Sequence, residues 1–127
     1  MNKVVLDSSA LMALLNQETG ASFVAENLAD SAISAVNLSE VVTKLCTKGM
    51  PENKVRSVLE ALGFEVIAFE ETQAYQCGWL SSSTKKLGLS LGDRACLSLA
   101  KILGLPALTA DKTWAELSIG VSVKVVR

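Results

Sequence analysis

The sequence predicts an α/β protein, a three-layer α/β/α sandwich built on a central, mainly parallel, twisted sheet. Short apolar runs alternate along the chain with longer segments whose apolar residues recur every three to four positions. The first run, Val4, Val5 and Leu6, has no polar alternation, which is typical of a strand buried on both faces of a parallel sheet. With 127 residues and no linker or internal repeat, the chain is expected to form a single domain, 1–127.

Each predicted element has a local signal. Ser8 and Ser9 can cap an apolar helix over 10–15, and Thr19–Gly20 marks a break before a helix over 21–28. Asn37 and Glu40 fit a capping box, and the helix they open ends at Gly49. Its apolar stripe is Leu38, Val41, Val42, Leu45 and Cys46.

The second half of the chain follows the same logic. Pro51 suits the first turn of a helix that ends at Gly63, and a long helix over 71–87 has acidic residues first and lysines last. Gly92 and Asp93 begin a helix that ends at Gly104, and 112–117 is a short turn or helix. The remaining strands are predicted over 32–36, 64–69, 106–109 and 121–126.

Composition limits the chemistry. The formal net charge is −1, so the chain lacks the basic excess of a bulk nucleic-acid binder and could contact RNA only through a local patch. There is no histidine, which excludes a Ser-His-Asp triad, a Cys-His dyad and His-ligated zinc. No G-x-G-x-x-G or P-loop motif is present, so no nucleotide cofactor is expected.

The expected environment is the cytoplasm. No apolar stretch is long enough to cross a membrane, and no signal-peptide pattern opens the chain. The three scattered cysteines are expected to be buried, reduced side chains, and they are Cys46, Cys77 and Cys96.

Four acidic residues fall at predicted strand ends or helix starts: Asp7, Glu40, Asp93 and Asp111. Each fits a helix cap or first-turn acid, and capping is the simpler interpretation of any one of them. Asp93 shares the apolar stripe of its helix, so it is expected to face inward and to need a partner. Glu40 projects almost opposite its stripe and looks solvated. Asp7 and Asp111 follow strands that would end side by side.

Clustered carboxylates need compensation. Two unit charges about 4 Å apart repel by roughly 4 kcal/mol at an effective dielectric near 20, so such a cluster is protonated, paired with bases or bound to a cation. An all-oxygen site favours Mg²⁺ or Mn²⁺. Three further residues are weaker candidates. Ser8 is expected to be a capping hydroxyl, and Thr109 is either an ordinary strand-end residue or a hydroxyl that orients Asp111 or a metal-bound water. Arg94 is either a phosphate contact or a charge that balances the acids.

Four segments resemble the PIN-domain family, and more narrowly its VapC-type toxins, in order and spacing. They are V-L-D-S-S-A-L, S-A-V-N-L-S-E-V, L-S-L-G-D-R-A-C-L-S-L-A and L-T-A-D-K-T-W-A-E-L. The resemblance implies an endoribonuclease that uses one or two Mg²⁺ or Mn²⁺ ions held by Asp7, Glu40, Asp93 and Asp111. It also implies an RNA substrate, a homodimer and a small inhibitory antitoxin that wraps an apolar groove.

Two other interpretations stay open at this point. A PIN-like domain could serve only as a protein- or RNA-binding module without chemistry, although the intact acidic set argues against this. An aspartyl-phosphate phosphatase would also place an Asp at a strand end, but it normally has a second Asp two positions later, where this chain has Ser9.

Overall fold

The computed structural model describes residues 1–127 and has five strands and six α-helices in the expected alternation. The strands are β1 Val4–Leu6, β2 Ser31–Ser34, β3 Glu65–Ile67, β4 Ala107–Thr109 and β5 Val123–Val125. The helices are α1 Ser8–Leu15, α2 Ala21–Asn27, α3 Ala35–Thr47, α4 Glu52–Glu60, α5 Glu71–Ser83 and α6 Leu91–Leu103. Short 3₁₀ helices follow at Leu28–Asp30, Lys85–Leu87 and Lys112–Glu116.

All five strands are parallel, in the order β3-β2-β1-β4-β5. Strand β1 is therefore central, with Leu6 opposite Ile33 of β2 on one side and Leu108 of β4 on the other. Because the carboxyl ends of parallel strands share one edge, the residues that follow β1 and β4 are neighbours there. This confirms the expected adjacency of the chain after Leu6 and after Thr109.

The two faces of the sheet bury separate hydrophobic clusters. Val4 and Leu6 join α1 to α4 in one cluster, while Val5 points to the opposite face and joins α5, α6 and Trp114 in the other. This alternation along one strand produces the three-layer sandwich predicted from the sequence.

Several element boundaries differ from the prediction for identifiable reasons. Strand β2 ends at Ser34, because the Ser34 hydroxyl accepts from Val36 N and starts α3 there; Asn37 is therefore a buried helical residue and not a cap. Helix α1 begins at Ser8 with Asp7 as its N-cap, so the predicted capping role of Ser8 and Ser9 is wrong. The long helix predicted over 71–87 ends at Ser83 and continues as a separate 3₁₀ turn.

One burial prediction is wrong. Cys77 and Cys96 are buried as expected, but Cys46 is exposed. The apolar stripe of α3 divides into two sets: Val41 and Leu45 are buried in the core, whereas Cys46 lies with Leu38 and Val42 in an open cleft between α3 and α4. Trp114 is completely buried, whereas Trp79 is 68% exposed on α5. No helix has the length and apolar character needed to span a membrane.

Candidate active site

Asp7 lies at the carboxyl end of the central strand and is 3% exposed. Its Oδ1 accepts from Ala10 N at 2.7 Å, which caps α1. Burial raises the pKa of Asp7 from 3.8 to about 6; the Asp93 charge adds to this, while hydrogen bonds from Thr109, Ala10 and Ser9 oppose it. The side chain is thus both the cap of α1 and a buried acid, and its ionisation is opposed by the loss of solvation.

Two hydroxyl groups hold the Asp7 carboxylate in place. Thr109, the last residue of β4, donates to Asp7 Oδ2 at 2.5 Å, a contact with Asp7 that the sequence did not predict. Ser9 donates to Oδ1 at 2.8 Å and accepts from Ala110 N at 2.9 Å, so it links the start of α1 to the end of β4. Sequence reasoning missed this role of Ser9; the shared strand edge was the available signal.

Asp93 lies in the first turn of α6, where it forms a capping box with Ser90. Ser90 Oγ accepts from Asp93 N at 3.1 Å, and Asp93 Oδ2 accepts from Ser90 N at 3.0 Å. The side chain is half-buried and turned back toward the N-cap, not into the core as its position on the apolar stripe predicts. It remains near enough to Asp7 to raise the pKa of that carboxyl.

Glu40 is not the solvated first-turn acid that its helical position predicts. It is half-buried in α3, and its carboxylate lies against Gly92 at the start of α6, where any Cβ would collide with it. Asn37 donates to Glu40 Oε1 at 3.0 Å and to the Gly92 carbonyl at 2.9 Å, so one amide ties α3 to α6. The spacing of Asn37 and Glu40 was visible in the sequence, but its partner on α6 was not.

The buried Cys96 thiol reports the electrostatics of this region. Burial raises its pKa well above the ordinary value, and the carboxylates of Asp7, Asp93 and Glu40 raise it further. Three acids from three different places in the fold, the N-cap of α1, helix α3 and helix α6, therefore lie near enough to this thiol to affect its pKa.

The remaining candidates are Asp111, Arg94 and Ser8. Asp111 caps the 3₁₀ helix, since its Oδ1 accepts from Thr113 N and Thr113 Oγ1, and its backbone N–H donates to Thr109 Oγ1. Arg94 donates to the Cys77 carbonyl and forms no ion pair with any of the acids. Ser8 is a half-buried residue of the first turn of α1.

The donor set matches a hard divalent cation in its chemistry. The four acidic side chains offer only oxygen ligands, and they carry negative charge that no lysine or arginine neutralises by an ion pair. The buried Asn37 Oδ1, next to Glu40, has no hydrogen-bond donor. The side chains are not drawn together around one point, since no group of three or more acids or cysteines has metal-binding geometry. The assignment of Asp7, Glu40, Asp93 and Asp111 as metal ligands stays a prediction.

The fold is shared with solved structures of toxin–antitoxin proteins. A toxin–antitoxin complex from Klebsiella pneumoniae aligns with a TM-score of 0.78 at 22% identity, covering 98% of each chain. DNA-bound VapBC from Salmonella typhimurium aligns with a TM-score of 0.78 at 19% identity over 100% of both chains. VapC20 from Mycobacterium tuberculosis, a sarcin-ricin loop cleaving toxin, aligns with a TM-score of 0.74 at 18% identity, covering 94% of this chain and 99% of that one. These TM-scores, at such low sequence identity, show a common fold.

No curated protein sequence matches the chain. The family model described as the PIN domain matches residues 4–120, from the central strand to the turn before β5. The match includes all four candidate acids, as expected from the sequence resemblance. The chain therefore belongs to the PIN domain family.

Proposed function

We propose that this protein is a Mg²⁺- or Mn²⁺-dependent endoribonuclease that acts as the toxin of a toxin–antitoxin pair. The observation that carries the proposal is the placement of three acids at the carboxyl edge of the sheet and the start of α6. Asp7 directly follows the central strand, the Glu40 carboxylate lies against Gly92, and Asp93 lies in the first turn of α6. Membership of the PIN domain family and the likeness to VapC20, a sarcin-ricin loop cleaving toxin, support it.

Some of the site residues are proposed ligands of the ion, and others hold those ligands in position. Asp7 and Asp93 present carboxylates, with Glu40 and Asp111 as further ligands of one or two ions. A bound divalent ion supplies Lewis-acid activation of water and neutralises charge on the scissile phosphate.

The surrounding residues orient the acids before any substrate binds. The hydroxyls of Ser9 and Thr109 keep Asp7 in one rotamer, and the Ser90 capping box does the same for Asp93. Gly92 leaves the space that the Glu40 carboxylate occupies. These contacts hold each acid in a defined position before substrate binds. We expect products with 5′-phosphate and 3′-hydroxyl ends.

An antitoxin and a second copy of the chain are the proposed protein partners. The relatives from Klebsiella pneumoniae and Salmonella typhimurium are a toxin–antitoxin complex and a DNA-bound VapBC. This chain has a groove of about 520 Å³ between α3 and α4, whose apolar lining includes Leu38, Val42, Val55 and Leu59. That groove fits an amphipathic antitoxin segment. The exposed aromatic pair Tyr75 and Trp79 on α5 offers an apolar surface for a homodimer.

The test is cleavage of a labelled RNA by the purified protein with Mg²⁺ or Mn²⁺ and with EDTA. We expect metal-dependent cleavage that Asp93→Asn abolishes. The asparagine oxygen can still accept from Ser90 N in the capping box, but the negative charge is removed. Asp30→Asn, at an exposed acid paired with Lys3, is the matched control and should cleave normally. In cells, the wild type expressed alone should arrest growth and Asp93→Asn should not. Absence of metal-dependent cleavage by a folded wild type would favour a binding module without chemistry.

A further inference from the structure

A cleft of about 880 Å³ opens beside the acidic site, between α1, α3 and the segment that follows β4. Ser9 and Asp111 lie in its wall, which places the cleft next to the hydroxyl that holds Asp7. Four cations also line it: Lys44, Lys48, Lys112 and Arg127.

These cations give the cleft a charge unlike that of the chain as a whole. Only two carboxylates, Glu18 and Asp111, share the lining, so the cleft has a local positive excess although the net charge of the protein is −1. Arg127 is paired with Glu18, and Lys48 donates to Asn16 Oδ1 at 3.2 Å. The excess therefore resides mainly on the lysines.

Helix stability accounts for some of these lysines but not for all of them. Lys44 lies in the last turn of α3 and Lys48 directly follows that helix, where a cation interacts favourably with the helix dipole. Lys112 is the first residue of a 3₁₀ helix, at the end where the same dipole disfavours a cation. The side chains of Lys44 and Lys112 have no hydrogen-bonding or ion-pair partner in the protein.

The basic cleft adjoins a second cleft of about 680 Å³ that is lined by Glu40 and Gly92, and both clefts are also lined by Thr43 and Lys44. We call the two adjoining clefts together the groove. Asp111 lies in the basic cleft and Glu40 in the second, whereas Asp7 and Asp93 line neither. A strand that passes through both clefts would have phosphates next to two of the acids and next to the lysines.

The lining favours a polyanion over a protein segment. Only two of the twelve lining residues, Met12 and Ala110, are hydrophobic. Protein interfaces depend on buried apolar and aromatic anchors, which this cleft does not offer, whereas phosphate backbones are bound by exposed lysines.

We propose that the groove is the RNA-binding path of this protein, with Lys44, Lys48 and Lys112 contacting phosphates next to the scissile one. The proposal rests on the proposed function for the identity of the substrate, but it concerns a separate set of residues. Single-stranded RNA fits it, because an open groove with flexible lysines follows a backbone without reading base edges.

The experiment measures binding without catalysis. Fluorescence anisotropy with a labelled single-stranded oligouridylate, in EDTA and at several salt concentrations, gives the slope of log K against log salt. Repulsion from the metal-free acids is the same in every variant, so differences report the lysines. Each phosphate contact on a single strand contributes about 0.7 to the slope, so the triple variant Lys44→Gln, Lys48→Gln, Lys112→Gln should lose about 2.

Two matched variants control for net charge and for folding. Replacing the same three lysines with arginine should keep the slope. Replacing Lys85, Lys86 and Lys101 with glutamine removes the same charge from exposed positions in the α5–α6 layer and should leave the slope unchanged. In cleavage assays with metal, the triple glutamine variant should raise KM and leave kcat.

The outcomes separate the two proposals. The RNA path would be overturned if the triple glutamine variant kept the wild-type slope of log K against log salt. It would also be overturned if the Lys85, Lys86 and Lys101 control variant lost as much slope as the triple variant. Either result would leave a protein segment as the occupant. Absence of salt-dependent binding by the wild type would overturn it too. Lysine-dependent binding without metal-dependent cleavage would confirm the path and reject the nuclease.

Discussion

Replacing Asp7 with asparagine should stabilise the metal-free protein at neutral and alkaline pH. The folded pKa of Asp7 is about 6 against 3.8 for the unfolded chain, so the folded state binds the proton more tightly. The resulting stabilisation is fully present below pH 3.8 and is lost as pH rises through about 6. A difference of about 2 in pKa corresponds to about 3 kcal/mol at full ionisation.

The assay is denaturant unfolding in EDTA at several pH values from about 4 to about 8. Asparagine keeps the cap on α1 but has no charge to bury. The free energy of unfolding of Asp7→Asn minus that of the wild type should therefore rise by up to about 3 kcal/mol over this range. Asp30→Asn makes the same change at an exposed acid, and its difference should stay within about 0.5 kcal/mol. Parallel pH profiles for wild type and Asp7→Asn would refute the buried-charge argument.

Three further predictions test the site. Saturating Mn²⁺ should raise the melting temperature of the wild type by several degrees but not that of Asp7→Asn. A ligand at a hundred times its Kd adds about 2.7 kcal/mol to the free energy of unfolding, and calorimetry with EDTA and with Mn²⁺ checks this. Gly92→Ala should leave the melting temperature unchanged or raised, because alanine favours the helix by about 1 kcal/mol relative to glycine. The same change should lower RNA cleavage, because the added Cβ displaces the Glu40 carboxylate, and a cleavage rate equal to that of the wild type would contradict this. Thr109→Val should cost about 1–3 kcal/mol of stability, measured by denaturant unfolding, and raise the pKa of Asp7 further, measured by NMR titration.

The sequence was sufficient to predict the architecture because its signals are local. The unbroken apolar run of β1 and the helical periodicities specify a parallel sheet between helices, and the structure confirms this. Boundaries failed where two signals compete, as at Ser34, which suits both a strand end and a helix cap.

The site was predictable only in part, because its contacts join residues far apart in the chain. Asp7 and Thr109 could be placed together from the order of strands alone. Glu40 could not, since its burial depends on Gly92 and Asn37, which meet only when α3 packs against α6. Periodicity within one helix carries no information about such a neighbour, and only the family resemblance identified Glu40.

Three of the four candidate acids also stabilise the N-termini of helices, two as N-caps and Asp93 through the capping box with Ser90, and this affects how the protein can lose its proposed activity. Asp7, Asp93 and Asp111 each satisfy backbone N–H groups that an alanine would leave without a partner. Asparagine satisfies the same groups without the charge, and in the genetic code every aspartate codon becomes an asparagine codon by one G-to-A transition. A single transition can therefore remove the proposed activity from a protein that stays folded and keeps the proposed antitoxin groove, and such a protein would compete with active copies for the inhibitor.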